Sequence, residues 1–290
     1  MILVSAYQPD QLDALTRLVN QQIAYLAPPL TLTTDHVNWP AQRSHDLWIE
    51  HLPREEGEPI TSSVIIDETL AAAGQCIVFP DGKAVITWLV ASPIFKNVAS
   101  YLIAHLEGKA IQLGATSIEI NRLGVTVGWL GVPASWVHVI NALRLGGFQE
   151  QARWAMFRWD TPDVVRPLPA GIKTGWHMNS PMGEWTLTAY QEDQEVGNSL
   201  AWAVPFFLRD AAGAEDWITL ESIQIQPEFR RRGIALGLVH EQMRFHGRRG
   251  FKHWLGRAKS DHVEGLALFR SLGAQYIDDA VSFIKSVQHV

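Results

Sequence analysis

The stretch IQIQPEFRRRGIALGLVHEQM, residues 223–243, places three arginines and a glycine between two apolar segments. The isoleucines before Pro227 favour a strand, and the proline ends the strand's hydrogen-bond ladder because it has no N–H. After Gly233, apolar residues recur at helical spacing, at Ile234, Leu238, Val239 and Met243. The sequence therefore predicts a strand, a glycine turn and a helix in immediate succession.

The predicted turn has the features of an anion site. Backbone N–H groups in the first turn of a helix have no partners within the helix, and the helix dipole adds partial positive charge there. Gly233 permits backbone that a Cβ would crowd, and the arginines offer charge-assisted hydrogen bonds to phosphate. The pattern predicts a phosphate site, although it is neither Gly-x-x-x-x-Gly-Lys-Ser/Thr nor Gly-x-Gly-x-x-Gly.

Positive charge is concentrated around this turn. The whole chain of 290 residues carries a formal net charge of −6, with a pI near 6.0. Residues 228–259 nevertheless contain nine basic and two acidic side chains, an excess of seven positive charges. This distribution favours a small anionic ligand over nucleic acid, whose binding proteins are usually basic overall.

The composition is typical of a globular protein. Hydrophobic residues make up 47% of the chain and charged residues 19%. The single cysteine, Cys76, excludes an internal disulfide, so the fold needs no oxidising compartment. The N-terminal residues lack a signal-peptide pattern, and no window approaches the roughly 20 apolar residues that span a bilayer. We expect a cytoplasmic protein that makes no membrane contact.

The chain contains an internal repeat. WLVASPIF at 88–95 matches SIQIQPEF at 222–229 in a proline and a phenylalanine, and NALRLGGF at 141–148 matches ALFRSLGA at 267–274 in a glycine. The proline-rich stretch DTPDVVRPLPAG at 160–171 predicts a boundary between the copies. Only the second copy carries the arginine–glycine turn, because the first reads PIFKNVAS where the second reads PEFRRRGIA.

At this point the residues resemble a family. IQIQPEFRRRGIA is similar to motif A of the GNAT superfamily of N-acetyltransferases, an apolar strand and proline followed by Arg/Gln-x-x-Gly-x-Gly/Ala. The resemblance implies that amides of this turn bind the pyrophosphate of acetyl-CoA. It also implies that the preceding strand splays from its neighbour and pairs its backbone with the pantetheine arm. The implied cofactor-binding residues are Ile223, Gln224, Ile225, Arg230, Arg231, Arg232, Gly233, Ile234, Ala235, Leu236 and His262.

A second stretch, HVEGLALFRSLGA, resembles the family's second motif, Asn-x-x-Ala-x-x-Leu-Tyr-x-x-x-Gly-Phe. It keeps Leu268 and Gly273. His262 stands where the family has Asn, so it is expected either to hydrogen-bond the cofactor or to be a helix-capping or surface histidine. The other departures from the motif are Gly265 for Ala, Phe269 for Tyr and Ala274 for Phe.

The resemblance implies an α/β fold with mixed sheets (α+β), built from two GNAT-like acyl-CoA N-acyltransferase units in tandem. We expect a degenerate N-terminal unit at residues 1–160, a linker at 161–185 and a C-terminal unit at 186–290. The C-terminal unit alone would carry the acetyl-CoA site. It is expected to lack the leading helices, because residues 172–185 are few and rich in glycine, proline and tryptophan.

The candidate catalytic residue is Glu221, which lies six residues before Pro227, where the family often places a general base. Beside an apolar run its affinity for protons would rise. Its counterpart in the first copy is Thr87, and the alternative interpretation of Glu221 is a solvated strand residue. Phe269 stands at the usual tyrosine acid and cannot donate a proton, which leaves Tyr276 or water for that role.

The leading hypothesis is an acetyl-CoA-dependent N-acetyltransferase that acts on a primary amine by direct attack in a ternary complex. The acceptor is expected to be a small-molecule or peptide amine, with no nucleic-acid partner and no metal, since no Cys/His cluster has zinc spacing. The alternative is a non-catalytic acyl-CoA-binding or sensing protein of the same fold. A third interpretation is an interaction protein without a CoA site. The sequence carries no signal for the oligomeric state.

Overall fold

The computed structural model describes residues 1–42, 57–121, 129–162, 166–180, 184–203 and 211–287. They form two compact units, Met1–Trp154 with Asp278–Val290 (unit 1) and Ala155–Ile277 (unit 2). The helices are α1 (Leu12–Ile23), α2 (Thr34–Gln42), α3 (Val98–Gln112), α4 (Val137–Leu145), α5 (Ile234–Gly247) and α6 (Val263–Ser271). The strands are β1 (Ile2–Ala6), β2 (Glu58–Ile66), β3 (Thr69–Val78), β4 (Lys83–Ala91), β5 (Ser117–Ile120), β6 (Val132–Pro133), β7 (Gln149–Asp160), β8 (Ile172–Ser180), β9 (Glu184–Gln191), β10 (Gln194–Ala203), β11 (Trp217–Ile225), β12 (His253–Lys259) and β13 (Gln275–Ser286).

Unit 1 is built on a mixed sheet in the order β1-β2-β3-β4-β5-β13. Strands β1 to β4 pair antiparallel, and β4 pairs parallel with β5. Helix α3 covers one face, because a Cβ added to Gly74 of β3 would lie 3.3 Å from Leu102 and 3.4 Å from Leu106 of that helix. The absence of a side chain at Gly74 thus lets the helix pack directly on the strand.

Unit 2 repeats this plan with the order β12-β11-β10-β9-β8. Here β11 and β12 form the parallel pair, and β8 to β11 pair antiparallel. The core includes a cluster of apolar side chains from β7, β10, β11, β12, α5 and α6. Its buried members are Ala155, Phe157, Trp159, Ala201, Ile218, Leu220, Val239, Met243, Trp254, Ala258 and Phe269.

The two units differ where the second was expected to be shorter. Unit 1 places α1 and α2 between β1 and β2. In unit 2, β8 pairs directly with β9 from Ile172 opposite Gln191, and only three positions, 181–183, separate the two strands, too few for two helices. The expectation that the second unit lacks its leading helices is confirmed.

The bounds of the two units in the structure differ from the bounds expected from the sequence. Strand β8 lies inside residues 161–185, for which the composition predicts a linker. The last residues of β13, Phe283–Ser286, follow unit 2 in sequence, yet they pair antiparallel with Ser117–Ile120 of unit 1. A strand's side-chain pattern indicates which faces are buried but not which neighbour its backbone pairs with, so the sequence could not assign β13.

A β-bulge marks the same position in both copies. The register between β3 and β4 shifts so that Thr87 is the extra residue. The register between β10 and β11 shifts so that Glu221 is the extra residue. A bulge bends its strand and redirects a side chain, and such features are common beside active sites. Thr87 and Glu221, which the sequence repeat predicts to be counterparts, are therefore equivalent in the structure as well.

A buried histidine makes the core of unit 2 sensitive to acid. His246 of α5 is 1% exposed, and its Nε2 lies 3.1 Å from Oε1 of Gln242. Four aromatic rings surround the imidazole, and their centroids lie 4.9 to 6.1 Å from its own. These rings belong to Trp176, Phe245, Phe251 and Trp254. This burial, with a smaller effect from Arg249, lowers the pKa of His246 to about 3.

We expect this histidine to destabilise unit 2 as the pH falls. The pKa is 6.5 in the unfolded chain and about 3 in the fold. The stability is therefore complete above pH 6.5 and decreases below it, because only the unfolded state takes up the proton. At about 1.4 kcal/mol per pH unit, the loss between pH 6.5 and pH 5 is about 2 kcal/mol. Urea unfolding of the wild type and His246→Phe at both pH values measures this difference.

The matched control for this prediction is Phe251→Leu, which disturbs a ring neighbour of His246 and leaves the imidazole in place. It should lower stability at both pH values and keep the acid-dependent loss. An equal acid-dependent loss in His246→Phe and in the wild type would contradict the assignment.

Candidate active site

The predicted strand, turn and helix are present, and two left-handed residues shape the turn. After β11, a 3-10 turn at Pro227–Phe229 leads into residues 230–233 and then α5. Arg231 has φ 62° and Gly233, at the helix N-cap, has φ 81°. A Cβ on Gly233 would meet only Pro169, 3.9 Å away. The glycine is therefore required by the backbone conformation and not by crowding.

The amides of this turn are open. Among the described residues, none accepts a hydrogen bond from the backbone N–H groups of residues 231–236. The side chain of Ile234 is 2% exposed and packs with Leu187, Val196 and Leu238, which anchors the first turn of the helix. A left-handed residue followed by a helical one forms a concave row of N–H donors that suits an anion.

The three arginines have different surroundings. Arg230 donates from Nε to the carbonyl oxygen of Ile225 at 3.1 Å. Arg232 donates from Nη2 to the carbonyl oxygen of Glu228 at 2.9 Å, and its guanidinium lies 5.1 Å from the ring centre of Phe229. Arg231 is exposed and makes no hydrogen bond, ion pair or ring contact with any residue that the structure describes. Arg230 and Arg232 thus stabilise the loop, whereas Arg231 makes no such interaction with a described residue.

Beyond Leu220, the edge of β11 that faces away from β10 pairs with no strand that the structure describes. The parallel ladder between β11 and β12 runs to Leu220 and Gly256, whereas the antiparallel ladder to β10 continues to Ile225. The N–H of Gln226 bonds toward β10, so by the alternation of backbone groups those of Ile223 and Ile225 face away from it. The structure therefore separates β11 from β12 along the residues for which the resemblance implied a splayed strand.

The corresponding strand of unit 1 is covered. Trp88 of β4 is 3% exposed, and the residues from Leu89 to Ala91 are fully buried, whereas residues 221–225 of β11 are half-buried or exposed. The carbonyl oxygen of Ala91 accepts a hydrogen bond from Nε2 of His138 on α4 at 2.7 Å. Burial lowers the pKa of His138, which keeps the imidazole neutral. A helix side chain therefore binds this carbonyl in unit 1, whereas in unit 2 the corresponding carbonyl of Ile225 accepts from the loop residue Arg230.

A buried ion pair lies where β11 and β12 part. Glu221 and Arg257 directly follow the last paired residues of their strands, and Oε1 of Glu221 accepts a hydrogen bond from Nη2 of Arg257. Oε2 of Glu221 accepts from Nε1 of Trp202 on β10 at 2.8 Å. The side chains of Arg257 and Glu221 are 5% and 20% exposed. Glu221 is thus not the solvated strand residue of the alternative interpretation.

Sequence reasoning missed both contacts of Glu221. It counted Arg257 with the basic cluster and could not distinguish Trp202 among twelve tryptophans. The available signal was the position of Arg257 immediately after the apolar core of β12, where a lone charged residue needs a partner.

The second motif supplies packing and an exposed histidine. Phe269 is 3% exposed and stacks on Phe157 at 4.7 Å between ring centres. Tyr276 is 53% exposed and contacts the edge of the same Phe157 at 6.1 Å. His262 stands at the N-cap of α6, makes no side-chain cap hydrogen bond and is 60% exposed, so the capping alternative is wrong.

The departure at Gly265 has a local reason. A Cβ at this position would lie 2.7 Å from Nδ1 of His262 and 3.0 Å from the Cβ of Ala258. Histidine is larger than asparagine, and its ring occupies space that an alanine methyl would need. The two departures from the family pattern, His262 and Gly265, are therefore one feature.

The segment before β8 packs against the helix of the candidate site. A Cβ at Gly237 of α5 would lie 2.8 Å from Cδ2 and 3.1 Å from Cα of Leu168. The N–H of Arg166 donates to Nδ1 of His240 at 3.0 Å, and burial lowers the pKa of this histidine so that it accepts as a neutral ring. Residues 166–171 therefore form part of the wall beside the first turns of α5.

The basic cluster is not a single patch. Arg244 pairs with Glu241 on α5, and Arg249 lies over the ring of Trp185 at 4.9 Å. Lys252 lies 3.8 Å from Asp216. Of the nine basic residues, the three loop arginines are the ones that flank the open amides.

The described ranges contain neither a candidate metal cluster nor a candidate membrane-spanning helix. Within the described ranges, no group of three or more His, Cys, Asp or Glu side chains could hold a metal ion. No helix in the same ranges combines the length and apolar character that a membrane crossing requires.

The structure resembles solved proteins of the GNAT fold. A tandem GNAT protein from the clavulanic acid biosynthesis pathway has a TM-score of 0.69 at 12% identity, with 100% of this chain and 99% of that chain covered. A GCN5-related N-acetyltransferase from Sphaerobacter thermophilus has a TM-score of 0.67 at 15% identity, covering 99% and 96%. A glucosamine N-acetyltransferase region of a fungal multi-domain β-N-acetylglucosaminidase also has a TM-score of 0.67 at 15% identity, covering 98% and 38%.

No protein-family model matches the sequence, and no curated protein matches it. At these identities the likeness concerns the fold, which is a tandem GNAT fold with a mixed sheet in each unit.

Proposed function

We propose that unit 2 is an acetyl-CoA-dependent N-acetyltransferase that acts on a primary amine of a small molecule or peptide by direct attack in a ternary complex. The observation that carries the proposal is the open edge of β11 beside a row of open amides, in a fold whose first unit buries the corresponding strand. Solved proteins with the same fold carry acetyltransferase names.

The described residues fit a CoA molecule. The open amides of residues 231–236 would bind the pyrophosphate, and Arg231 would add a charge-assisted hydrogen bond. The outward N–H and C=O groups of Ile223 and the N–H of Ile225 would pair with the amides of the pantetheine arm. His262 is exposed near the start of α6 and remains a proposed cofactor contact.

In the proposed reaction, the amine nitrogen attacks the thioester carbonyl carbon, the C–N bond forms, the C–S bond breaks and the amine loses a proton. Glu221 is the proposed acceptor for the hydrogen bond or proton of the amine. Phe269 is buried and has no proton to give. The departing thiolate would take its proton from water, since a model thiol with a pKa of about 8.5 leaves at neutral pH with modest help.

A second candidate function is acyl-CoA binding without catalysis. It is favoured by Phe269 at the usual acid position and by the hydrogen bonds that Glu221 accepts from Trp202 and Arg257. A protein of this kind would bind acetyl-CoA at the same loop and would not turn it over.

Two measurements test the proposal. Melting the protein with acetyl-CoA at about 100 times its Kd should add about 2.7 kcal/mol of stability. Release of free thiol from acetyl-CoA with a panel of primary amines then separates an enzyme from a sensor. Stabilisation without thiol release would support the sensor, and no stabilisation at all would reject both functions.

A further inference from the structure

The residue Arg257 is almost completely buried at the point where the two parallel strands separate. Gly256 is the last residue of β12 in the ladder, and Arg257 is the next. Its side chain is 5% exposed. A buried guanidinium is costly unless a carboxylate and further hydrogen-bond acceptors compensate it. We therefore expect the buried guanidinium of Arg257 to make a specific interaction at this position.

One hydrogen-bond partner of Arg257 is the bulge residue on the neighbouring strand β11. Leu220 and Gly256 are opposite each other, so Glu221 and Arg257 are the first residues on either side of the opening. The bulge at Glu221 turns its carboxylate out of the regular ladder. Arg257 holds one carboxylate oxygen and Trp202 holds the other.

This arrangement fixes the orientation of the carboxylate. Donors on both oxygens leave few rotamers to Glu221. Each carboxylate oxygen offers more than one lone pair, so a hydrogen bond from Arg257 or Trp202 does not by itself exclude one from an amine. A fixed acceptor contributes more to catalysis than a mobile one, because its ordering precedes the reaction.

Resting on the proposed function, we infer that Arg257 is a positioning residue for the acceptor amine. It acts through Glu221 at the parting of β11 and β12, and it does not contribute to binding CoA at the arginine–glycine loop. The acetyl-CoA affinity and the use of the amine should therefore respond differently to changes at position 257.

The experiment compares Arg257→Met, Arg257→Lys and Glu221→Gln in the full chain. For Arg257→Met we expect kcat/KM for the amine to fall about 100-fold, the scale of a lost acid–base group, while the Kd of acetyl-CoA by calorimetry changes less than about twofold. Arg257→Lys keeps the charge and should restore part of the loss. Because the two residues act as a unit, the Glu221→Gln and Arg257→Met double variant should be no slower than Glu221→Gln alone.

The matched control is Arg244→Met, which removes an arginine that pairs with Glu241 on the surface of α5 and should leave both measurements unchanged. Additive losses in the double variant, or wild-type kinetics in Arg257→Met, would overturn the inference. An equal loss of acetyl-CoA affinity would also overturn it. If Arg257→Met does not fold, Arg257→Lys and the cycle of that variant with Glu221→Gln give the same decision. Failure of the wild type to bind acetyl-CoA would instead reject the proposed function itself.

Discussion

Replacing Gly233 with valine is expected to abolish the stabilisation of the protein by acetyl-CoA. At φ 81°, a side chain with a Cβ costs about 1–2 kcal/mol, and a β-branched one costs more. The backbone would relax toward negative φ and turn the amides that follow it away from a common point. The loss should be about 2.7 kcal/mol of ligand-induced stability at 100 times the wild-type Kd, measured by thermal unfolding.

The control for this variant is Gly250→Val. Gly250 has φ 97° with no atom within 4 Å of an added Cβ, so it carries the same backbone penalty beyond the other end of α5. It should lower the melting temperature of the free protein and keep the full shift with acetyl-CoA. A normal shift in Gly233→Val would show that the glycine turn is not the phosphate site.

Reversing the charge of Arg231 is expected to weaken acetyl-CoA binding about 10- to 100-fold. A hydrogen bond to a charged group contributes about 1.5–3 kcal/mol, and about 1.4 kcal/mol corresponds to a factor of ten in Kd. Arg231 is the loop arginine without a contact among the described residues, so Arg231→Glu should act on the ligand and not on the loop. Calorimetry at low and high salt measures the effect, which should shrink as salt screens the phosphates.

Two variants separate charge from backbone at this position. Arg231→Gly keeps the left-handed conformation at φ 62° without the strain of a Cβ, so it should bind acetyl-CoA more weakly and unfold no more easily. Arg248→Glu places the same charge change at the C-terminal end of the 14-residue helix α5, about 20 Å away, and should leave Kd nearly unchanged. Equal effects of Arg231→Glu and Arg248→Glu would reduce the role of Arg231 to the general charge of the protein.

The local part of the site could be predicted because its signals are local. Pro227 ends the strand, Gly233 begins the helix, and the apolar spacing after it is helical within a few residues. The repeat added the match between Thr87 and Glu221, which the structure confirms as two bulges. These features depend on neighbours in sequence or on a comparison of the chain with itself.

The chemistry at the parting of the strands could not be predicted in the same way. Glu221 and Arg257 are separated by 36 residues, and their contact depends on the register of a parallel pair. The register also determines that the ladder stops at Leu220 and Gly256, and neither residue type by itself predicts this end. The covering of β4 in unit 1 likewise involves His138, a side chain from a helix 47 residues away in sequence from Ala91.

The pairing of β13 with β5 has a consequence for biosynthesis. The ribosome synthesises the chain from its N-terminus. Unit 2 is therefore complete once Ile277 has been added, before Phe283–Ser286 of unit 1 are synthesised. Until those residues emerge, β5 presents an uncovered edge, and such an edge is a template for pairing with other chains. Unit 1 is therefore begun first and completed last. A truncation from the C-terminus removes the β13 residues of unit 1 before any residue of the candidate site, and it would expose the N-terminal half to aggregation.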